Sequence, residues 1–83
     1  MDKMKVLVVD DESRMRKLVS DFLTRKGYAV IEAADGVEAV DTFMENKDIA
    51  LIILDVMMPR IDGLEVCRQI RKESKVPIIM LTS

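Results

Sequence analysis

The sequence predicts an α/β fold, a parallel sheet covered by helices on both faces, and three observations predict it. Short apolar runs rich in β-branched residues, MKVLVV at 4–9, IALIIL at 49–54 and IIML at 78–81, with a weaker YAVIEA at 28–33, alternate with segments whose apolar residues recur at helical spacing. The runs are continuous and do not alternate with polar residues, the pattern of strands buried on both sides. Finally, an Asp-Gly-aliphatic-Glu opening stands at 35–38 and again at 62–65, each time ahead of a helical stretch. It supplies a capping carboxylate with a glutamate three residues on. The resulting order, β-α-β-α-β-α-β, is that of a doubly wound sheet.

Each element has its own justification. The first strand, 4–9, stops abruptly at Asp10, Asp11 and Glu12. Between Ser13 and Lys26 the apolar residues Met15, Leu18, Val19, Phe22 and Leu23 form one helical stripe, and Gly27 stands where a left-handed cap is needed. The second strand occupies 28–33. Asp35 and Glu38 open the second helix, with Val37, Val40, Phe43 and Met44 as its buried stripe. The run at 49–54 is the most continuous and makes the central strand. Asp62 and Glu65 open the third helix, whose inward residues are either Leu64, Cys67 and Ile70 or Val66 and Ile70. Pro77 leads into the fourth strand, which ends at Thr82. On their helical stripes Met15, Met44 and Cys67 read as core packing; Arg14, Arg16 and Lys17 read as a solvated face.

Composition narrows the function classes. Eighty-three residues, 1–83, make one domain, and a chain of this size buries only roughly 60 to 65% of its unfolded surface, so marginal stability is expected. Hydrophobic residues are 49% and charged residues 34%, the balance of a soluble globular protein. Thirteen Lys and Arg against fifteen Asp and Glu leave a net charge of -2, which provides no electrostatic reason for this segment to bind nucleic acid or membrane. Cys67 is the sole cysteine, so no internal disulfide is possible. The opening MDKMKVLVVDDE lacks the apolar core of a signal peptide, and the cytoplasm is the expected compartment.

Chemistry concentrates at strand ends. In an open parallel sheet ligands bind outside the carboxyl ends of the strands, where the strand order reverses. Right-handed crossovers put strands one and three side by side at that point. Strand two ends in the bland Ala33 and Ala34, whereas Asp10 and Asp11 end strand one, Asp55 ends strand three and Thr82 ends strand four. One of Asp10, Asp11 and Ser13 could simply cap the first helix. Asp55 has no such excuse, since Asp62 already caps the third. Three facing carboxylates repel unless neutralised. With no histidine and one cysteine in the chain, the matching cation is a hard one, magnesium, which takes oxygen ligands and accepts phosphate. An oriented Asp55 carboxylate is then a candidate nucleophile for an aspartyl-phosphate.

The pieces Val9-Asp10-Asp11-Glu12, Asp55 followed by Met58-Pro59 and Asp62-Gly63, and Pro77 to Thr82 resemble the receiver domain of two-component response regulators, over the whole chain. The resemblance implies a flavodoxin-like sheet, with Asp55 as phosphoacceptor and no turnover activity. It further implies magnesium held by Asp10, Asp11, Asp55 and the backbone carbonyl of Met57, and a Thr82 hydroxyl that contacts the phosphoryl oxygens. The implied donor is a phosphohistidine on a sensor histidine kinase, and the implied consequence is a switched output, including a DNA-binding domain in a parent protein. Receiver domains continue past this threonine with a helix, a strand ending in lysine and a last helix. The fold expected of residues 1–83 is therefore incomplete, with strand four an open edge that favours self-association. Rival readings fare differently. No GxxxxGK[ST] or GxGxxG is present. A phosphatase of the haloacid dehalogenase type would need D-x-D, where Met57 and Glu12 stand instead. The other alternative is a chemically silent half-domain that associates with a copy of itself.

Overall fold

The computed structural model describes residues 3–56, 58 and 63–81. Its elements are β1 (Lys5–Val9), α1 (Ser13–Arg25), β2 (Ala29–Ala33), α2 (Gly36–Glu45), β3 (Leu51–Asp55), α3 (Gly63–Arg71) and β4 (Ile78–Leu81). All strand pairs are parallel, in the order β2-β1-β3-β4. The doubly wound sheet expected from the alternation is therefore present, and the order reverses between β1 and β3. The central strand begins two residues later than its apolar run and takes in Asp55. Ile49 stays 3% exposed ahead of it, so the core claims the residue without a ladder position.

Because side chains alternate across a strand, the sheet has two distinct faces. Leu7, Val9, Ala33, Ile52 and Leu54 join Ala39 and Phe43 of α2, Val66 and Ile70 of α3, and Ile49, Met58 and Val76 in one buried cluster. Full burial of each large aliphatic or aromatic side chain there stabilises the fold by about 1.5–3 kcal/mol. The opposite face carries Val6 and Val8, both buried, beneath α1, which packs on β1 and β2.

Local signals account for the ends of the helices. Gly27 has φ 99°, and the Tyr28 N–H donates to Leu23 O at 3.1 Å while the Gly27 N–H donates to Thr24 O at 3.1 Å, a Schellman closure of α1. At α2 the Glu38 N–H donates to Asp35 Oδ1 at 2.8 Å, and Glu38 Oε1 accepts from the Ala34 N–H at 3.1 Å, one residue upstream of the usual capping-box partner. Asp62, expected to cap α3, lies outside the described residues.

Helix facing departs from the apolar stripes in several places. On α1, Met15, Leu18 and Phe22 are exposed, against the expectation of a buried stripe; the helix turns Arg16, Val19, Ser20 and Leu23 toward the sheet, and Ser20 alone is fully buried. No described residue covers the other half of the stripe. Arg16 is accordingly not part of a solvated face. On α2, Val37 is exposed while Ala39 and Phe43 are buried, with Val40 and Met44 packed at the margin of the core. On α3 the Val66 and Ile70 alternative holds; Leu64 is exposed and Cys67 is half-buried. In each case the sheet meets only part of the apolar arc, and the rest remains open.

Candidate metal centre

The register of the two central strands builds the site. Val9 pairs with Leu54, so the next residue on each strand, Asp10 and Asp55, emerges at the same height at the carboxyl end of the sheet. Asp11 follows in the connection to α1. One carboxylate oxygen from each of Asp10, Asp11 and Asp55 lies within 4.8 Å of the others. Asp10 is buried, Asp55 half-buried and Asp11 exposed.

The Asp10 backbone is held on several sides. Its N–H donates to Ala33 O at 3.2 Å, its C=O accepts from Arg16 Nη1 at 2.8 Å, and its own Oδ1 accepts from the Glu12 N–H at 2.9 Å. Neither acid performs the capping role considered for it, since Glu12 occupies the N-cap of α1 without a side-chain cap bond. Val56, next after Asp55, is held as firmly. The Val56 N–H donates to Leu81 O at 3.1 Å, and the Gly63 N–H donates to Val56 O at 3.2 Å. A Cβ at Gly63 would stand 2.7 Å from Val56 Cα and 2.8 Å from Asp55 O. Only glycine lets α3 start this close to the strand that carries Asp55.

Carboxylates gathered this closely repel one another, and a cation shared by the three oxygens would offset that repulsion. The donors are all hard oxygens, and magnesium fits them. Arg16 and Gly63 did not stand out as site residues in the sequence. Gly63 carried a signal in its Asp-Gly pattern; Arg16 carried none, because its role depends on the alternation that turns Glu32 toward α1. Thr82 and Met57, the expected phosphoryl contact and backbone ligand, lie outside the described residues.

Comparison with known proteins agrees with this architecture. The family model described as response regulator receiver domain matches residues 6–83. The transcriptional regulatory protein ResD of Bacillus subtilis (strain 168) is 55% identical over 80 residues, which are 95% of this chain and 32% of ResD. This chain spans about a third of the length of the curated relatives it matches. Among solved structures, a response regulator receiver domain protein from Clostridium thermocellum superposes with a TM-score of 0.92 at 33% identity, covering 95% of this chain and 64% of that one. The CheX-CheY-BeF3-Mg+2 complex from Borrelia burgdorferi gives 0.89 at 33% identity, covering 95% and 61%. A reversal of strand order flanked by acids, a shared fold and a match over nearly the whole sequence lead to one conclusion: this chain belongs to the response regulator receiver domain family.

Proposed function

We propose that the chain is the phosphoacceptor module of a two-component system, with Asp55 receiving a phosphoryl group from a phosphohistidine of a sensor histidine kinase. The observation that carries this reading is the convergence of Asp10, Asp11 and Asp55 from two neighbouring strands at the strand-order reversal. A carboxylate oxygen of Asp55 attacks phosphorus; the P–O bond forms, the P–N bond breaks and the imidazole departs with the electron pair. Asp10, Asp11, Asp55 and the Met57 carbonyl would hold Mg2+, which when bound offsets the charge of the acids and of the phosphoryl oxygens. Thr82 would add its hydroxyl to those oxygens. The product stays attached to the chain, so the module changes state and does not turn over substrate. The name of the Borrelia burgdorferi complex, with its BeF3 and Mg+2, supports the ion choice. The naming of ResD as a transcriptional regulatory protein supports a DNA-binding output elsewhere in a parent protein. The proposed site of action is the cytoplasm, where the sensor kinase's phosphohistidine would be met; no helix among the described residues is long and apolar enough to cross a membrane.

Incubation with acetyl phosphate or phosphoramidate and Mg2+ tests the assignment. Intact-mass measurement should show one added phosphoryl group that is absent with a chelator and absent in Asp55→Asn. Equal labelling of Asp55→Asn would overturn it. A second reading, a chemically silent module that associates with a copy of itself, draws on the exposed apolar residues of α1 and β4. It predicts no labelling of the parent chain.

A further inference from the structure

Arg16 is the residue whose placement the sequence pattern least anticipates. Its side chain is only 19% exposed, in an ion pair with Glu32 of β2, whose own side chain is 44% exposed. Arg16 Nε donates to Glu32 Oε1 at 3.0 Å, and Arg16 Nη1 donates to the Asp10 carbonyl oxygen at 2.8 Å. The planar guanidinium fixes both bonds in one orientation. The other end of Asp10 is tied to the same strand, through its N–H to Ala33 O at 3.2 Å. Thus Glu32 and Ala33, adjacent on β2, determine the orientation of Asp10, one directly and one through Arg16.

The carbonyl gripped by Arg16 belongs to the peptide linking Asp10 to Asp11. Rotation of that peptide plane would swing the start of residue 11, and Asp11 is the exposed member of the carboxylate triad, with the least packing to hold it. Among the described residues, Arg16 is what fixes this plane from the carbonyl side. We infer that the Arg16–Glu32 pair is a positioning device that presets the Asp10–Asp11 peptide so that the carboxylates converge on a divalent cation.

This inference rests on the proposed magnesium site, and it has a sign of its own. As a bare positive charge beside three acids, Arg16 would oppose cation binding, so its removal would strengthen it. As a positioning residue, its removal must weaken it. Groups that orient metal ligands typically change metal affinity by about 10- to 100-fold when removed.

The test is a Mg2+ titration of the full chain followed by amide NMR, for the parent, Arg16→Met, Glu32→Gln, their double variant and Asp11→Asn. Arg16→Met should weaken binding by about tenfold and shift the metal-free Asp11 amide resonance, with the resonances of β3, α2 and α3 unchanged. Glu32→Gln should weaken binding less, and should have no further effect once Arg16 is gone. Binding by Arg16→Met as tight as the parent's or tighter, with Asp11→Asn impaired, would overturn the positioning role and leave the metal site standing. Parent binding that Asp11→Asn leaves unchanged would overturn the metal site, and the inference with it. Should Arg16→Met not fold, Glu32→Gln decides, because it leaves the arginine in place: an unchanged affinity and Asp11 resonance would overturn the role.

Discussion

Among the described residues, the two faces of the sheet are covered to different extents. Beneath α2 and α3, Leu7, Ile52, Leu54, Phe43, Val66 and Ile70 are completely buried in one cluster. Beneath α1, Val6 and Val8 are buried, yet Met15, Leu18 and Phe22 on the helix and Ile79 and Leu81 on β4 remain between 42% and 61% exposed. The first face is packed by shape and apolar area at its centre, with Val37, Leu64 and Met80 exposed at its margin. On the second, Arg16 bridges Glu32 and the Asp10 carbonyl, and the buried Ser20 keeps a hydroxyl that has no partner among the described residues. The α2–α3 face supplies stability to the strands that carry the acids, and the α1 face governs the loop in which the acids are arranged.

The largest test of this contrast sets one phenylalanine against the other. Phe43→Ala should cost about 3–5 kcal/mol, enough to unfold much of a small domain. Phe22→Ala, on the exposed stripe, should stay within about 0.5 kcal/mol. Urea denaturation of both variants checks the pair, and similar losses would erase the distinction between the faces.

Next in size is Gly63→Ala. The added methyl would collide with the backbone of Val56 and Asp55, where a flexible side chain cannot give way, so a loss of about 1–3 kcal/mol is expected from forced shifts. Since the displaced atoms belong to the strand that carries Asp55, the proposed function predicts that labelling of Asp55 by acetyl phosphate slows as well. Wild-type stability together with wild-type labelling would show that α3 is not tightly seated there.

A third expectation concerns the open face itself. Among the described residues, the outward stripe of α1 and Ile79 and Leu81 of β4, an outer strand of the sheet, are exposed and apolar, and an outer strand without a neighbour pairs with other chains. Sedimentation equilibrium over a concentration series should show reversible self-association, reduced by Leu18→Lys. A single species at monomer mass throughout would remove this surface as a contact.

The smallest effect lies on the margin of the well-packed half. Lys5 Nζ stands 2.7 Å from Asp48 Oδ2; the hydrogen bond from Lys5 holds the Asp48 carboxyl below its ordinary value of 3.8, against a small opposing effect of burial. A lowered folded-state pKa means stability that is present above 3.8 and lost as pH falls through the lower folded value. The pair is exposed and salt-screened, so Asp48→Asn should slightly flatten acid unfolding at low ionic strength and leave no trace at high salt. An equal effect at high salt would point to a buried interaction instead.

Much of the architecture was legible because it rests on local physics. The continuous β-branched runs announced strands buried on both sides, Gly27 announced a left-handed turn and Asp35 with Glu38 announced a cap, each a matter of residues within a few positions of one another. The gathering of Asp10, Asp11 and Asp55 was also readable, since chain order and the handedness of crossovers suffice to make β1 and β3 neighbours. Tertiary structure alone decided which part of each apolar stripe meets the sheet, leaving Met15, Leu18, Val37 and Leu64 outside. It alone placed Arg16 between Glu32 and Asp10, and made a backbone approach at Gly63 that no side chain survives. The reason is one of range: a helical period fixes which residues share a side, but the width of the surface they meet is set by strands distant in sequence, and a guanidinium finds its partners only once those strands are in register.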